Sequence, residues 1–323
     1  MNYKRLAFIS GLIALLILLL RGCVYAQRQG DAPTLLVQEN NPEQQRMLRV
    51  YYADEKKVLE LSQEEYLIGV VAAEMPASFH QQALCAQAVA ARTYTLHRLE
   101  RGGCGTSGCD ICSDSGCCQA FDDDDACRKK WRGNYQANRA KITAAVEQTS
   151  GQALYYGGEL IEALYHAASG GHTEDSENVF SAARPYLRGV ESAQEVGSSH
   201  MEEEERFTRK DFAAKVNKAW PEAGLKAGKL EEQVEVEQRY ESGRVKALRL
   251  GGVTVTGREL RSLLELRSAW FTITLTQDQV VVATKGYGHG VGMSQAGANG
   301  MAQQGAGYRE ILQHYYTGAE IRG

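Results

Sequence analysis

Residues 62–101 read SQEEYLIGVVAAEMPASFHQQALCAQAVAARTYTLHRLER, and this stretch decides the fold. Ser62 followed three residues later by Glu65 is a capping box, and Leu61 with Tyr66 fits the flanking hydrophobic staple. A helix therefore opens at Ser62. It is expected to run to about Glu74, because Pro76 pushes Met75 out of the helical region. A second helix is expected from about Ser78 to Arg101, closed by Gly102-Gly103. Its middle, Ala83 to Ala91, is rich in alanine, so other backbones can pack close to it. That favours a buried central helix.

Away from this pair the periodicity shifts toward strands. Leu48 to Val58 suggests a strand and a turn around Asp54. Gln152 to Tyr165 alternates around Gly157-Gly158 like a hairpin. Glu232 to Leu250 gives two alternating stretches around Ser242-Gly243, and Phe271 to Leu275 with Val280 to Ala283 forms a further hairpin. Tyr135 to Thr149, Ser294 to Ala302 and Tyr308 to Tyr316 read as helices. Thr256-Gly257-Arg258-Glu259 is a second capping box. Ser169 to Arg188 reads as polar loop, and Glu191 to Glu205 as an exposed charged connection. The expected class is mixed α/β of the α+β kind, with antiparallel sheet elements and a buried Ala-rich helix.

The 323 residues carry 36 Lys plus Arg against 40 Asp plus Glu, a net charge of -4. No basic excess exists to neutralise phosphates, so no nucleic-acid partner is expected. The hydrophobic fraction of 43% and charged fraction of 24% exclude wholesale disorder and a collagen-like fibre. One long apolar run excludes a multi-span transporter. That run, Leu6 to Leu20, follows Lys4 and Arg5 and spans 15 uncharged residues. At about 1.5 Å per residue it falls short of a hydrocarbon core of about 30 Å. Gly22 to Ala26 extends it if Arg21 snorkels to the interface. Three readings stand: a retained single-pass anchor, a signal cleaved after Val24-Tyr25-Ala26, and a lipoprotein signal ending at Cys23. Each puts the remainder outside the cytoplasm. The expected organisation is a signal anchor over 1–26, a linker over 27–45 and one domain over 46–321.

Three ordered blocks carry a family resemblance. Tyr66 to Leu96 resembles the signature of the stage II sporulation protein D family, the SpoIID/LytB domain. Leu164 to Val190, LYHAASGGHTEDSENVFSAARPYLRGV, is similar to its second block. Gly286 to Ala302, GYGHGVGMSQAGANGMA, with Ile311 to Gly318, ILQHYYTG, is similar to its third. The resemblance implies a membrane-anchored, extracytoplasmic protein that acts on peptidoglycan. Sporulation members are lytic transglycosylases that cleave glycan strands stripped of stem peptides and leave 1,6-anhydro-N-acetylmuramic acid ends. They work with an amidase, stage II sporulation protein P, during engulfment. The LytB side of the family is associated with enhancing amidases, so a non-catalytic wall-binding module is the alternative expectation.

The family's catalytic acid is the Glu of its EMP motif, which falls on Glu74. Residue chemistry agrees. A transglycosylase can run on one carboxyl group, whereas an ordinary glycosidase needs a pair. The acid must be protonated near neutrality, which burial achieves, and a helix C-terminus disfavours a negative charge. Gln87 and Arg92 on the next helix are expected along the groove, with a salt bridge as the alternative for Arg92. Glu64 and Glu65 read as capping residues. Tyr165, His166, Ser169 and Thr173 surround Gly170-Gly171 and offer hydroxyls and amides to a sugar. No Gly-x-Ser-x-Gly elbow surrounds Ser169, which speaks against a serine hydrolase. The Gly286–Gly292 run fails the dinucleotide pattern, because Val291 and Met293 stand where glycine is needed. It reads as a loop that brings backbone close to a glycan, with His289, Ser294 and Gln295 as its polar members.

Six cysteines fall between Cys104 and Cys127. Cys109-x2-Cys112 followed by Cys117-Cys118 has the spacing of a compact structural zinc site. Some family members place a Cys/His metal group here, but this chain has Cys117 in a stretch where they carry His. Disulfides are the competing reading for an extracytoplasmic domain. Asp122 to Asp125 reads as a solvated acidic turn, and Cys85 as an inert buried thiol. A zinc amidase lacks support, since no HExxH occurs.

Overall fold

The computed structural model describes residues 46–323 except 107, 181 and 196–201. The apolar run at Leu6 to Leu20 and the linker over 27–45 lie outside the described residues. Among the described residues no helix is long and apolar enough to cross a membrane.

In chain order the first elements are β1 (Met47–Tyr52), β2 (Lys57–Ser62), α1 (Gln63–Glu74), α2 (Gln81–Glu100) and β3 (Ile111–Cys112). α3 (Asp124–Trp131), α4 (Tyr135–Gln148), β4 (Ala153–Tyr156), β5 (Glu159–Leu160), β6 (Tyr165–His166) and α5 (Ser176–Val179) follow. A second group holds β7 (Glu202–Thr208), α6 (Arg209–Ala219), α7 (Leu230–Gln233), β8 (Val234–Arg239), β9 (Val245–Leu250) and β10 (Val253–Val255). It ends with α8 (Gly257–Leu264), β11 (Phe271–Leu275) and β12 (Gln279–Lys285). The chain then returns through β13 (Met293–Ser294), α9 (Gln295–Gln303), α10 (Tyr308–Tyr315) and β14 (Glu320–Arg322). The class is mixed α/β, and most strand pairs are antiparallel, with β1–β3 and β6–β13 parallel.

Among the described residues two large hydrophobic cores form, with a small cluster of Leu96, Ala153 and Leu160 beside them. The first surrounds α1 and α2, with Leu67, Val70, Val71, Leu84, Ala88 and Val89 fully enclosed. The second, built from α6, α8 and β7–β12, encloses Phe212, Leu248, Leu260, Phe271 and Val282. Both capping boxes form: Ser62 accepts from the Glu65 amide, and Thr256 from the Glu259 amide. α1 ends at Glu74 as expected, with Met75 extended and its N–H donating to the Val71 carbonyl. The second helix starts later than Ser78. Phe79 closes a turn onto Pro76, and His80 becomes the N-cap through Nδ1.

Glu191 to Glu205 is not purely a connection, because Glu202 to Glu205 open β7. β7 pairs antiparallel with β12, Glu202 opposite Lys285 and Phe207 opposite Val280. It is an edge strand with Glu202, Glu204 and Glu205 exposed and Glu203 paired with Arg267, so hydrophobic alternation could not announce it. The aspartate run also has structure: Asp123 caps α3 through the Ala126 amide, and Asp122 pairs with Lys130 at 2.9 Å.

Gly69 positions the site. A Cβ there would lie 2.3 Å from the Phe121 ring and 2.7 Å from the Asp122 carbonyl oxygen. Only glycine lets residues 119–122 lie directly on α1. The Asp122 amide donates to the Gly69 carbonyl at 3.1 Å, and Phe121 stacks on Tyr66 at 5.6 Å.

Candidate active site

Glu74 ends α1 half-buried in the wall of a groove of about 640 Å³. Its Oε1 accepts from the Ala120 amide at 2.9 Å, and its Oε2 from Gln295 Nε2 at 3.4 Å. Burial pushes the Glu74 carboxyl above its ordinary value, and the two hydrogen bonds offset part of that rise. Nearby Lys130 pulls it down and Asp122 pushes it up. Glu74 is the only carboxyl among the described residues that line the groove.

The second and third sequence blocks meet here through a short parallel pairing. β6 lies beside β13, with Tyr165 opposite Met293 and His166 opposite Ser294. Ser294 caps α9 by accepting from the Gly297 amide, which puts Gln295 at the helix start, facing Glu74. Gln87 is fully buried behind Gln295, its Oε1 3.4 Å from Gln295 Nε2. Tyr165 donates to Gln119 Oε1 at 2.7 Å, and Gln119 Nε2 donates to Thr95 Oγ1 at 3.0 Å. Burial, then the nearby Glu74 charge, raises the Tyr165 phenol well above its ordinary value.

The two histidines differ in what they leave open. His289 Nε2 lies 3.0 Å from the Tyr165 carbonyl, so it carries the proton, and Nδ1 accepts from the Val291 amide at 3.1 Å. Both nitrogens are used, and burial pulls the ring down to about 4. His289 is a neutral brace. His166 Nδ1 donates to the Val291 carbonyl at 3.2 Å, which leaves Nε2 as an acceptor. That Nε2 is buried in the groove wall without a partner.

Other expected residues serve the scaffold. Arg92 is fully buried away from the groove: it donates to the carbonyls of Val146, Thr149 and Gln152 and pairs with Glu64 at 3.0 Å. Glu64 is thus an ion-pair partner, while Glu65 is the capping residue. Ser169 donates to Glu195 Oε1 at 2.7 Å, with no histidine on its hydroxyl. Thr173 Oγ1 accepts from the Val190 amide at 2.8 Å. Both are buried behind the groove, where they shape the Gly170-Gly171 loop. The sequence reading passed over Phe180, Tyr287, Gln119 and Arg261, which line the groove. Phe180 and Tyr287 stand 40% and 43% exposed, and the Arg267 guanidinium lies over the Tyr287 ring, 5.2 Å from its centroid. Tyr287 sits inside the glycine run, a signal that was available. Phe180 lies in a polar loop and gave none.

The thiol group differs from the one drawn by spacing. The Sγ atoms of Cys104, Cys112, Cys117 and Cys118 lie within 4.8 Å of one another, and Cys104 takes the place expected for Cys109. The reason is geometric. Ile111–Cys112 run parallel to β1, with the Asp110 amide on the Arg49 carbonyl and the Asp110 carbonyl accepting from the Cys104 amide at 3.1 Å. The turn through Gly103, Gly105 and Gly108, all at positive φ, folds Cys104 back. Zinc–sulfur bonds of about 2.3 Å give a tetrahedron with edges of about 3.8 Å. Cys117 and Cys118 are 3.8 Å apart, so the donor set fits zinc. Arg98, 3.8 Å from the Cys117 sulfur, supplies positive charge.

Comparison with known proteins gives the family. The sequence model of the family described as "Stage II sporulation protein" matches residues 51–156. Stage II sporulation protein D of Bacillus subtilis (strain 168) is 34% identical over 273 residues, covering 84% of this chain and 78% of the relative. Its counterpart in Bacillus amyloliquefaciens is also 34% identical, over 280 residues, covering 84% of this chain and 77% of the relative. An amidase enhancer of Bacillus subtilis (strain 168) is 28% identical over 302 residues, covering 79% of this chain and 40% of the relative. The chain belongs to the stage II sporulation protein D family.

Proposed function

We propose that this protein is a peptidoglycan lytic transglycosylase of the sporulation type, with Glu74 as its single acid and base. The observation that carries the reading is the lone carboxyl. Glu74 is the only acid lining the groove among the described residues, and its burial favours the protonated form. A hydrolase working through a carboxylate pair lacks its second member here. Protonated Glu74 gives its proton to the glycosidic oxygen, and the bond from that oxygen to C1 of N-acetylmuramic acid breaks. The Glu74 carboxylate then takes the proton of the muramic 6-hydroxyl, whose oxygen closes on C1 as a 1,6-anhydro ring. The acid ends the cycle reprotonated, and no water is consumed. Exposed Phe180 suits stacking on a pyranose face, and His166 Nε2 suits a sugar hydroxyl or acetamido N–H.

The same proposal includes a structural zinc held by Cys104, Cys112, Cys117 and Cys118. The metal would fix residues 117–120, which line the groove and donate the Ala120 amide to Glu74. It also includes an N-terminal membrane anchor with the domain outside the cytoplasm, denuded glycan strands as substrate, and an amidase of the stage II sporulation protein P type as partner.

Product chemistry tests the reaction class. Denuded strands are incubated with the protein, reduced with borohydride and analysed by mass spectrometry. Transglycosylation yields anhydro ends that resist reduction, and hydrolysis yields reducible ends. The similarity to an amidase enhancer favours a second reading, a wall-binding module without its own cleavage. Strands left intact while a wall amidase is accelerated would support that module instead.

A further inference from the structure

α8 belongs to the second core, through Leu260 and Leu264, yet it carries Arg261 into the wall of the groove. Arg261 is half-buried, and its Nε donates to the Leu266 carbonyl at 3.1 Å. Among the described residues its two Nη atoms make no hydrogen bond and no carboxylate pairs with it. Its charged neighbour Arg258 has the same sign. A guanidinium held this way in a partly desolvated wall lacks compensation, which favours a site that receives an anion.

The surroundings agree. A smaller cavity of about 160 Å³ adjoins the groove and shares Phe180, Arg261 and His289 with it. Arg244 and Arg258 also line it, so three guanidiniums face one carboxylate, that of Glu174. Glu174 is already engaged: Oε1 accepts from the Asp175 amide and Asn178 Nδ2, each at 2.9 Å, and Oε2 accepts from Ser242 Oγ. Arg244 is 3% exposed, spends its Nη atoms on the Ser169 and His172 carbonyls, and keeps a buried Nε without a partner. His166 Nε2 adds a second buried unpartnered atom at the groove itself.

We propose that Arg261 binds the free lactyl carboxylate that a muramic acid residue carries once its stem peptide has been removed. The inference rests on the glycan reading of the groove and adds the source of its selectivity. On an intact strand the lactyl carbonyl is a neutral amide. Hydrolysis of that amide leaves a carboxylate, which the planar fork of arginine pairs with two charge-assisted hydrogen bonds.

Binding of full-length Glu74→Gln protein tests this without cleavage. The probes are the denuded tetrasaccharide of alternating N-acetylglucosamine and N-acetylmuramic acid, the same molecule with its carboxylates converted to methylamides, and the N-acetylglucosamine tetramer. Capping is expected to weaken binding about ten- to hundredfold, to the level of the N-acetylglucosamine tetramer. In Glu74→Gln/Arg261→Gln the acid and its methylamide are expected to bind alike. Equal binding of acid and methylamide by Glu74→Gln overturns the proposal, as does a capping effect that survives in the double variant. If that double variant fails to fold, Glu74→Gln/Arg261→Met, which keeps the aliphatic stem, replaces it and is read in the same way. Carboxylate-selective binding by a protein whose wild type leaves strands intact would retire the transglycosylase reading and keep this subsite. Absence of all glycan binding would overturn both.

Discussion

The Ala120 amide donates to Glu74 Oε1 at 2.9 Å, and Ala120 follows Cys118 by two residues. The thiol group and the acid are thus joined through one short backbone segment. Phe121 and Asp122 continue that segment onto Gly69, one and a half turns before Glu74 on the same helix. Order in the cysteine loop becomes order at the carboxyl.

The proposed zinc ligands are tested by metal content. Purified protein is expected to hold about one zinc per chain. Cys104→Ser is expected to lower that content and Cys109→Ser to leave it, as read by elemental analysis. The opposite pattern would restore the grouping that spacing alone suggested. Absence of zinc with paired cysteines in non-reducing peptide mapping would replace the metal with disulfides.

Glu74 has a sign to check in both activity and stability. Cleavage needs the protonated acid, so kcat/KM should fall as pH rises through its raised pKa. Gln295→Leu removes a donor that favours the charged form and should move that fall to higher pH. For folding, a carboxyl raised in the native state contributes stability that is complete below the ordinary glutamate range and lost as pH rises through the raised value. Glu74→Gln should therefore melt higher than wild type at pH 7–8, with the gap narrowing below about pH 4. A melting difference unchanged across that range would contradict the burial account.

Gly69→Ala tests the close approach of residues 119–122. A Cβ at 2.3 Å from Phe121 forces the segment off α1 and takes the Ala120 amide from Glu74. Overpacking of this kind costs about 1–3 kcal/mol, and cleavage should fall more steeply than the folded fraction. Urea unfolding and turnover on the same samples separate the two.

Arg92→Met should destabilise by about 3–5 kcal/mol, because Val146, Thr149 and Gln152 each lose a buried donor and Glu64 loses its ion pair. Chemical denaturation measures it. A stable variant would return Arg92 to the groove.

Short-range signals carried most of what was legible. The capping boxes at Ser62 and Thr256 and the stop at Pro76 depend on residues within a turn of one another, so they fixed α1 and α8. Glu74, Tyr165, His166 and Gln295 were legible from the blocks, and β6 beside β13 brings them together. The misreadings have long-range causes. β7 depends on β12, some 80 residues away, and a strand of glutamates shows no core-facing alternation. Cys104 joins the thiol group because its amide donates to the Asp110 carbonyl at 3.1 Å and sets it beside β3. Arg261 gave no signal, since only the packing of α8 tells which of its faces meets the groove.

The most direct test compares wild type and Glu74→Gln on denuded glycan strands, counting 1,6-anhydro ends by mass spectrometry and strand binding in parallel. The account predicts anhydro ends from wild type, a rate about 10²–10⁴ lower in the variant, and binding retained by both. Equal cleavage by the two proteins, or wild-type products bearing only reducible ends, would contradict it.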